Sequence, residues 1–409
     1  MHKYLNLFLL LALILLPLPA SGEEHTRAQI RLLYTELVPR EEVFPYLEKP
    51  SVLPPYDAGA LTDDALLRAL NYVNFLRRVA YIENDVTLSG LYTLRAQCAA
   101  TLLAVNDKLL HDAPIAPGMD ADFYETAHAG TMSSNIASIN WMESDILLTA
   151  IEYFARDDGA DNLSQLGHRR WLLNPNMGET GFGLANAKSG ITYAAMYAHD
   201  LTGEPADWTS IAWPSRGAFP AELMADGIAW SVTLNPLHYD AEKSDIRVTM
   251  SEKTAGEAGL SYFQVNLENY GAGPCVIFVP DLARMGIEAY EQNQVWSVKV
   301  TGLRTVDGAD AAISYEVDMI ALMPQDPANV ELDRDELSLS PGGAAKLSAT
   351  VVPAWADDLT VAWASSDEAV ATVDDSGNVT AIGEGSCDIT ATATNGRSAS
   401  CCLTVGAQQ

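Results

Sequence analysis

The pattern of apolar positions changes period twice along the chain. Leu66, Leu67, Leu70, Val73 and Leu76 recur at the spacing of one helix face, behind a Thr62-Asp63-Asp64 start signal. Leu94, Cys98, Leu102, Val105 and Leu109 repeat that spacing and predict a helix over 91–110. Further helices are expected over Arg27 to Leu37 and Met142 to Phe154. Strand signals begin at Gly181 to Ala185 and Ile191 to Tyr197. From about Glu204 the alternation is of period two, in Ala229–Leu234, Ile246–Met250, Tyr262–Asn266, Cys275–Val279, Trp296–Val300 and Ile313–Val317. Short strands separated by Gly, Asn and Pro argue for a β-sandwich. After the polar, proline-bearing joint Pro324-Gln325-Asp326-Pro327 a third run of alternating strands occupies 329–406, with hairpin turns at Asp374–Asn378 and Asn395-Gly396.

The pattern predicts an α+β multidomain chain, divided as 1–22 leader, 23–60 lead-in, 61–203 helical domain, 204–325 β-sandwich and 329–407 second β-sandwich. The leader carries Lys3, the apolar run Leu5–Leu16 and the small-residue exit Ala20-Ser21-Gly22. This is the arrangement of a secretory signal cleaved near Gly22, and its apolar run is shorter than the ~20 residues of a spanning helix. The expectation is a secreted protein, extracellular or loosely held at the cell surface, with no membrane span after cleavage.

Charge narrows the partners. The chain has 24 Lys and Arg against 54 Asp and Glu, a formal net charge of −30. Nucleic-acid affinity rests on clustered cations, which this chain lacks. The five cysteines are too few and too scattered to read as a disulfide framework. Cys387 and Cys402 fall diagonally across the hairpin at Asn395-Gly396, so a bridge there is not the favoured reading.

Candidate chemistry centres on Gly167-His168-Arg169-Arg170-Trp171-Leu172-Leu173-Asn174-Pro175, followed by Gly181-Phe182-Gly183. A histidine beside a buried segment needs a polar partner. It is either a helix-end histidine or a ring held at a cleft edge. The chain lacks a Gly-x-Ser-x-Gly elbow, a His-Glu-x-x-His pair and a phosphate-cradling glycine loop.

Two resemblances follow from quoted residues. The stretches Leu347–Pro353, Val361–Asp367, Val370–Val373, Gly377–Ala381 and Gly383-Glu384-Gly385 resemble a bacterial Ig-like group 2 domain. The span from Leu66 to His199 resembles the CAP superfamily of cysteine-rich secretory, antigen 5 and pathogenesis-related proteins, in its cysteine-poor bacterial branch. It does so through Asn71-x-x-Asn74-x-x-Arg77, Leu109-Leu110-His111, Ser134-Asn135-Ile136-Ala137 and the Gly167-His168 segment. That resemblance implies a CAP α-β-α sandwich with two histidines and two acids in a central cleft. His111 and His168 match the histidines. Ser134 stands where one acid is usual, and Asp157 matches the other, with Asp158 as the alternative. His128 is expected near the Ser134 loop, more as a loop histidine than as part of the rim.

Two imidazoles and a carboxylate can hold a divalent metal such as zinc, with His111 and His168 as ligands. Without metal they can do acid–base work, or simply satisfy one another. The missing acid at Ser134 favours binding over catalysis. The expected function is a secreted or cell-surface protein that binds a small ligand, a cation, or an envelope or host component, with the Ig-like unit as adhesion or spacer module. The alternative is a hydrolase of envelope polymer or peptide acting through His111, His168 and a nearby acid.

Overall fold

A computed structural model describes residues 24–38, 43–140, 145–225, 227–323, 325–353 and 356–406. The expected leader lies outside the described residues. The chain forms two compact units: residues up to Tyr290 with Gln294–Ile320, and Glu291–Asn293 with residues from Ala321 onward.

Among the described residues of the first unit, six helices precede residue 173: α1 (Arg27–Leu37), α2 (Asp63–Val79), α3 (Gly90–Asn106), α4 (Ala121–Ser133), α5 (Ile146–Arg156) and α6 (Gly167–Leu172). Local chemistry explains their ends. Thr26 and Gln29 form a reciprocal capping box on α1, and Thr62 Oγ1 accepts from Ala65 N–H at the start of α2. Asp63 and Asp64 begin α2, and Arg77 and Arg78 end it, each matching the helix dipole. α3 stops at Asp107, in the left-handed conformation with φ 50°, short of the expected Leu110. α4 has no counterpart in the sequence expectations. Its face is built from alanine, glycine and threonine, which carry little periodic signal.

α3, α4 and α5 pack against a three-stranded antiparallel sheet in the order Ser134–Ile139, Thr192–Tyr197, Phe182–Asn186. Tyr193, Ala195 and Ile136 join the core that α3 and α4 cover. Their alternating neighbours Ala194, Met196, Phe182 and Leu184 are also buried, so both faces of the sheet are covered. The Gly-x-Gly start of the third strand has a packing cause. A Cβ on Gly181 would overlap the Thr93 backbone, and one on Gly183 the Ala96 carbonyl, so α3 lies directly against this strand.

The middle strands form two sheets. One runs Leu260–Asn266, Cys275–Pro280, Trp230–Leu234, Ser210–Trp213; the other Gly256–Ala258, Arg247–Glu252, Val295–Arg304, Asp310–Ile320, Gly217–Pro220. Between them Trp230 and Trp296 meet at 5.8 Å between ring centroids, and Trp230 Nε1 donates to Tyr290 Oη at 2.8 Å. The change of period near residue 204 therefore marks a change of secondary structure inside one compact unit. The lead-in is tied to these strands: Ala218 N donates to His25 O at 2.9 Å, and Arg27 grips Asp318 with two bonds of 2.7 and 2.8 Å.

The second unit is all β. Its largest sheet runs Glu336–Leu339, Ser398–Val405, Gly385–Ala393, Val361–Ser365. Leu347, Val379, Ile389, Cys401 and Leu403 are fully buried in its core, and Trp363 packs against them. Asp374 accepts from the backbone N–H of Ser376 and Asn378, closing the hairpin predicted there. Cys387 pairs with Leu403 while Cys402 pairs with Asp388. Cys387 is buried and Cys402 exposed, so the two lie on opposite faces and do not bridge; all five cysteines are free.

The contact at Gly183 sets the first prediction. Gly183→Ala should lower unfolding free energy by about 3 kcal/mol through overpacking. Gly90→Ala, at a helix start with open space around it, should be neutral or stabilising by less than ~1 kcal/mol. Urea titrations of the two variants decide it; equal effects would remove the close-approach argument.

Candidate functional site

The site begins where α5 ends. Asp157 takes the left-handed conformation, φ 50°, and its carboxylate turns back into the protein with no side-chain exposure. Its Oδ1 lies 2.9 Å from His168 Nδ1, and its Oδ2 accepts the Arg169 N–H at 3.2 Å. Asn162 Nδ2 lies 3.0 Å from the same ring nitrogen. A carboxylate only accepts, so it holds the proton on Nδ1 and leaves the Nε2 lone pair for a ligand; in that tautomer the Asn162 amide nitrogen makes no hydrogen bond to the ring. Asp157 is thus behind the ring rather than lining the cleft expected from the sequence, and the alternative, Asp158, is exposed. The ring lies against Phe154 at 5.5 Å, and Asn135 Nδ2 donates to the His168 carbonyl at 2.9 Å.

His111 is exposed, and its Nδ1 donates to the Thr131 carbonyl at 2.7 Å. A carbonyl only accepts, so this ring also carries its proton on Nδ1 and presents Nε2 as an acceptor. Ser134 is 3% exposed, and its Oγ has no hydrogen-bond partner within the protein. His128 pairs with Asp112 at 2.9 Å, a contact within the His111 loop and α4.

His199, which is not among the histidines that the CAP resemblance singles out, belongs to this region. Its ring lies tilted against Trp171 of α6 with centroids 4.1 Å apart, and its backbone N–H reaches Ser133 O at 3.3 Å. Burial first, and the charge of His111 second, hold its pKa below the ordinary 6.5. The signal that could have found it is strand register: Ser134 pairs with Tyr197, which carries His199 past the end of α4.

The donor set does not complete a metal centre. Among the described residues no three His, Cys, Asp or Glu side chains gather to hold an ion. Asp157, the carboxylate that His111 and His168 would need beside them, has both oxygens committed. A zinc site with an open position normally has three protein ligands, so the expected metal pair His111 and His168 lacks its third member.

The other motif residues hold the fold. Asn74 exchanges two hydrogen bonds with the Val86 backbone, at 2.9 and 3.0 Å. Arg77 is fully buried and donates to the carbonyls of Asn174, Leu172, Asn84 and Met177. Burial pulls its pKa down to about 9. Arg169 donates to Ala155 O and Ala229 O, both at 2.6 Å, and to Ser231 Oγ at 3.2 Å. Burial pulls it down to about 10. Arg170 reaches Gln165 O, Asn266 Oδ1, Glu268 O and Gly273 O, and lies over the Tyr270 ring.

Comparison with known proteins places one part of the chain. Residues 327–402 match the bacterial Ig-like domain (group 2) family. Lacto-N-biosidase of Bifidobacterium bifidum is 52% identical over 69 residues, which are 17% of this chain and 6% of that protein. The chain therefore spans a small part of that relative's length. Among solved structures, an intimin mutant of EHEC O157:H7 is 26% identical over 19% of this chain and 45% of its own, with a TM-score of 0.15. The N-terminal part of the bacterial S-layer protein SbsC is 11% identical over 83% of this chain and 77% of its own, with a TM-score of 0.19. Scores this low carry no argument about shared architecture. No helix among the described residues is long and apolar enough to cross a membrane.

The proximity of His111 and His199 is testable by titration. His111→Ala should raise the His199 midpoint toward 6.5, because the charge that the His111 ring places beside it when doubly protonated is removed. In the wild type, stability contributed by His199 is fully present above 6.5 and declines as pH falls below it, since the unfolded chain then binds a proton that the folded chain resists. Histidine NMR titration reads the midpoint; an unchanged His199 would separate the two rings.

Proposed function

We propose that this is a bacterial cell-surface protein whose first unit binds a cell-envelope component through the face bearing His168, and whose Ig-like module acts as spacer or adhesion element. The observation that carries this reading is the 2.9 Å pair of buried Asp157 with His168 Nδ1, which aims one lone pair of a half-buried ring outward. A ring fixed in one tautomer is a preorganised acceptor for a ligand hydroxyl or amide. The resemblance of residues 66–199 to the CAP superfamily supports a recognition role. The Ig-like match supports display outside the cell, as does the expected leader.

The same pair favours a second reading, hydrolysis of envelope polymer or peptide, because a carboxylate-oriented imidazole is also a general base. The one hydroxyl at the expected acid position, Ser134, is buried at 3% exposure, which leaves this reading without an accessible nucleophile. Water activated by His168 would have to serve instead.

Co-sedimentation of the purified protein with isolated bacterial cell walls tests the first reading. The wild type should pellet with the walls, and His168→Ala should weaken binding roughly tenfold, the scale of one lost hydrogen bond in a desolvated site. Deleting residues 327–409 should leave wall binding by the first unit intact. Equal pelleting of wild type and His168→Ala would sink the assignment. Release of fragments from peptidoglycan, or cleavage of casein, in a His168-dependent manner would promote the hydrolase instead.

A further inference from the structure

We infer that Asn266, on a strand of the middle sandwich, is a positioning residue for His168. The inference rests on the reading of His168 as the ligand-facing residue. It begins from the weakness of α6. That helix has six residues, no side-chain cap and a left-handed Leu166 before it, so it cannot hold its own place. Its position has to come from outside.

Asn266 supplies that hold on both sides of the histidine. Its Nδ2 donates to Ser164 O at 3.0 Å, and its Oδ1 accepts from Arg170 Nη1 at 2.9 Å. The two partners bracket His168 from four residues before to two after. Asn266 is 8% exposed, so both bonds are made away from solvent competition. The neighbours repeat the grip: Gln264 Nε2 reaches Ser164 O at 3.3 Å, and Tyr270 Oη donates to Gln165 Oε1 at 2.6 Å. Tyr270 also covers Gly167, where a Cβ would crowd its ring. The segment that presents His168 to Asp157 is therefore seated in a cradle roughly one hundred residues further along the chain, made by a different part of the unit.

The consequence is specific. The Asp157–His168 bond needs the ring and the carboxylate in register, and a shift of the 164–170 segment breaks that register before it unfolds anything. Asn266 touches no ligand in this account; it acts through the backbone of Ser164 and the guanidinium of Arg170.

The test uses the full chain with ¹⁵N-labelled histidine, and reads the His168 tautomer by NMR, assigned by the loss of its signals in His168→Gln. The wild type should show the Nδ1–H form. Asn266→Ala should raise the Nε2–H form roughly tenfold, the scale of one hydrogen bond's net contribution. Asn266→Asp keeps an acceptor for Arg170 and loses the donor to Ser164; it should shift the same way by less, and it decides the matter if Asn266→Ala does not fold. Asp318→Asn, which breaks the distant pair with Arg27, should lower the melting temperature and leave the tautomer unchanged. A folded Asn266 variant with the wild-type tautomer would overturn the inference, as would the same change in Asp318→Asn. The readout needs no ligand: a tautomer shift supports the inference even if cell walls fail to bind, which would count against the functional reading alone.

Discussion

The buried guanidinium of Arg169 is the constraint on which the first unit depends. It draws the carbonyls of Ala155 and Arg156 at the end of α5 together with Ala229 and Ser231 of the sandwich, while its own backbone N–H binds Asp157. A buried cation is costly, and several charge-assisted bonds are needed to offset that cost. Losing one partner leaves either a cation or a carbonyl unsatisfied in a dry interior, which penalises every partial opening. Helix end, short helix and strand must therefore close together or not at all. Arg170 and Arg77 extend the same logic to the Glu268–Gly273 loop and to the chain after α6.

This explains why the apparent division near residue 204 is not a division in space. The shift from helical to alternating periodicity is real and was visible in the sequence, and so were Arg169 and Arg170. Their partners were not. Ala229 lies 60 residues beyond Arg169, and Asn266 lies 96 beyond Arg170. Periodicity reports which face of a local element is buried; it carries nothing about which distant carbonyl a side chain will meet. The Ig-like unit was legible in more detail because its signals are local. Its hairpin turns and the alternation of its strands are each written in residues a few positions apart, although the pairing of Glu336–Leu339 with Ser398–Val405 is not.

The candidate site divides the same way. His168 was marked by its own segment, and Asp157 was reachable because one helix end and one short loop separate it from the histidine. Whether it lined the cleft or backed the ring depended on the left-handed turn at Asp157, a backbone choice that an aspartate tolerates without declaring. His199 was missed for a different reason. It stands past the strand Thr192–Tyr197, whose register against Ser134–Ile139 decides where it goes, and Ser134–Ile139 begins in small polar residues that carry no strand pattern. α4 was missed because alanine, glycine and threonine pack closely without an apolar period.

The protonation of these rings turns on contact rather than on the charge of the whole chain. A net charge of −30 would by itself raise every histidine, since negative surroundings favour the imidazolium. Yet the pKa of His199 is lowered. Exposed charges more than ~8 Å away are largely screened at physiological salt, whereas burial beside Trp171 first, and the nearby His111 ring when protonated second, act at short range. His111 and His168 each give their Nδ1 proton to a fixed acceptor, so their free atoms are the Nε2 lone pairs. A neutral ring held in this way can only accept at its free nitrogen, so a hydrogen-bond donor is what it can meet.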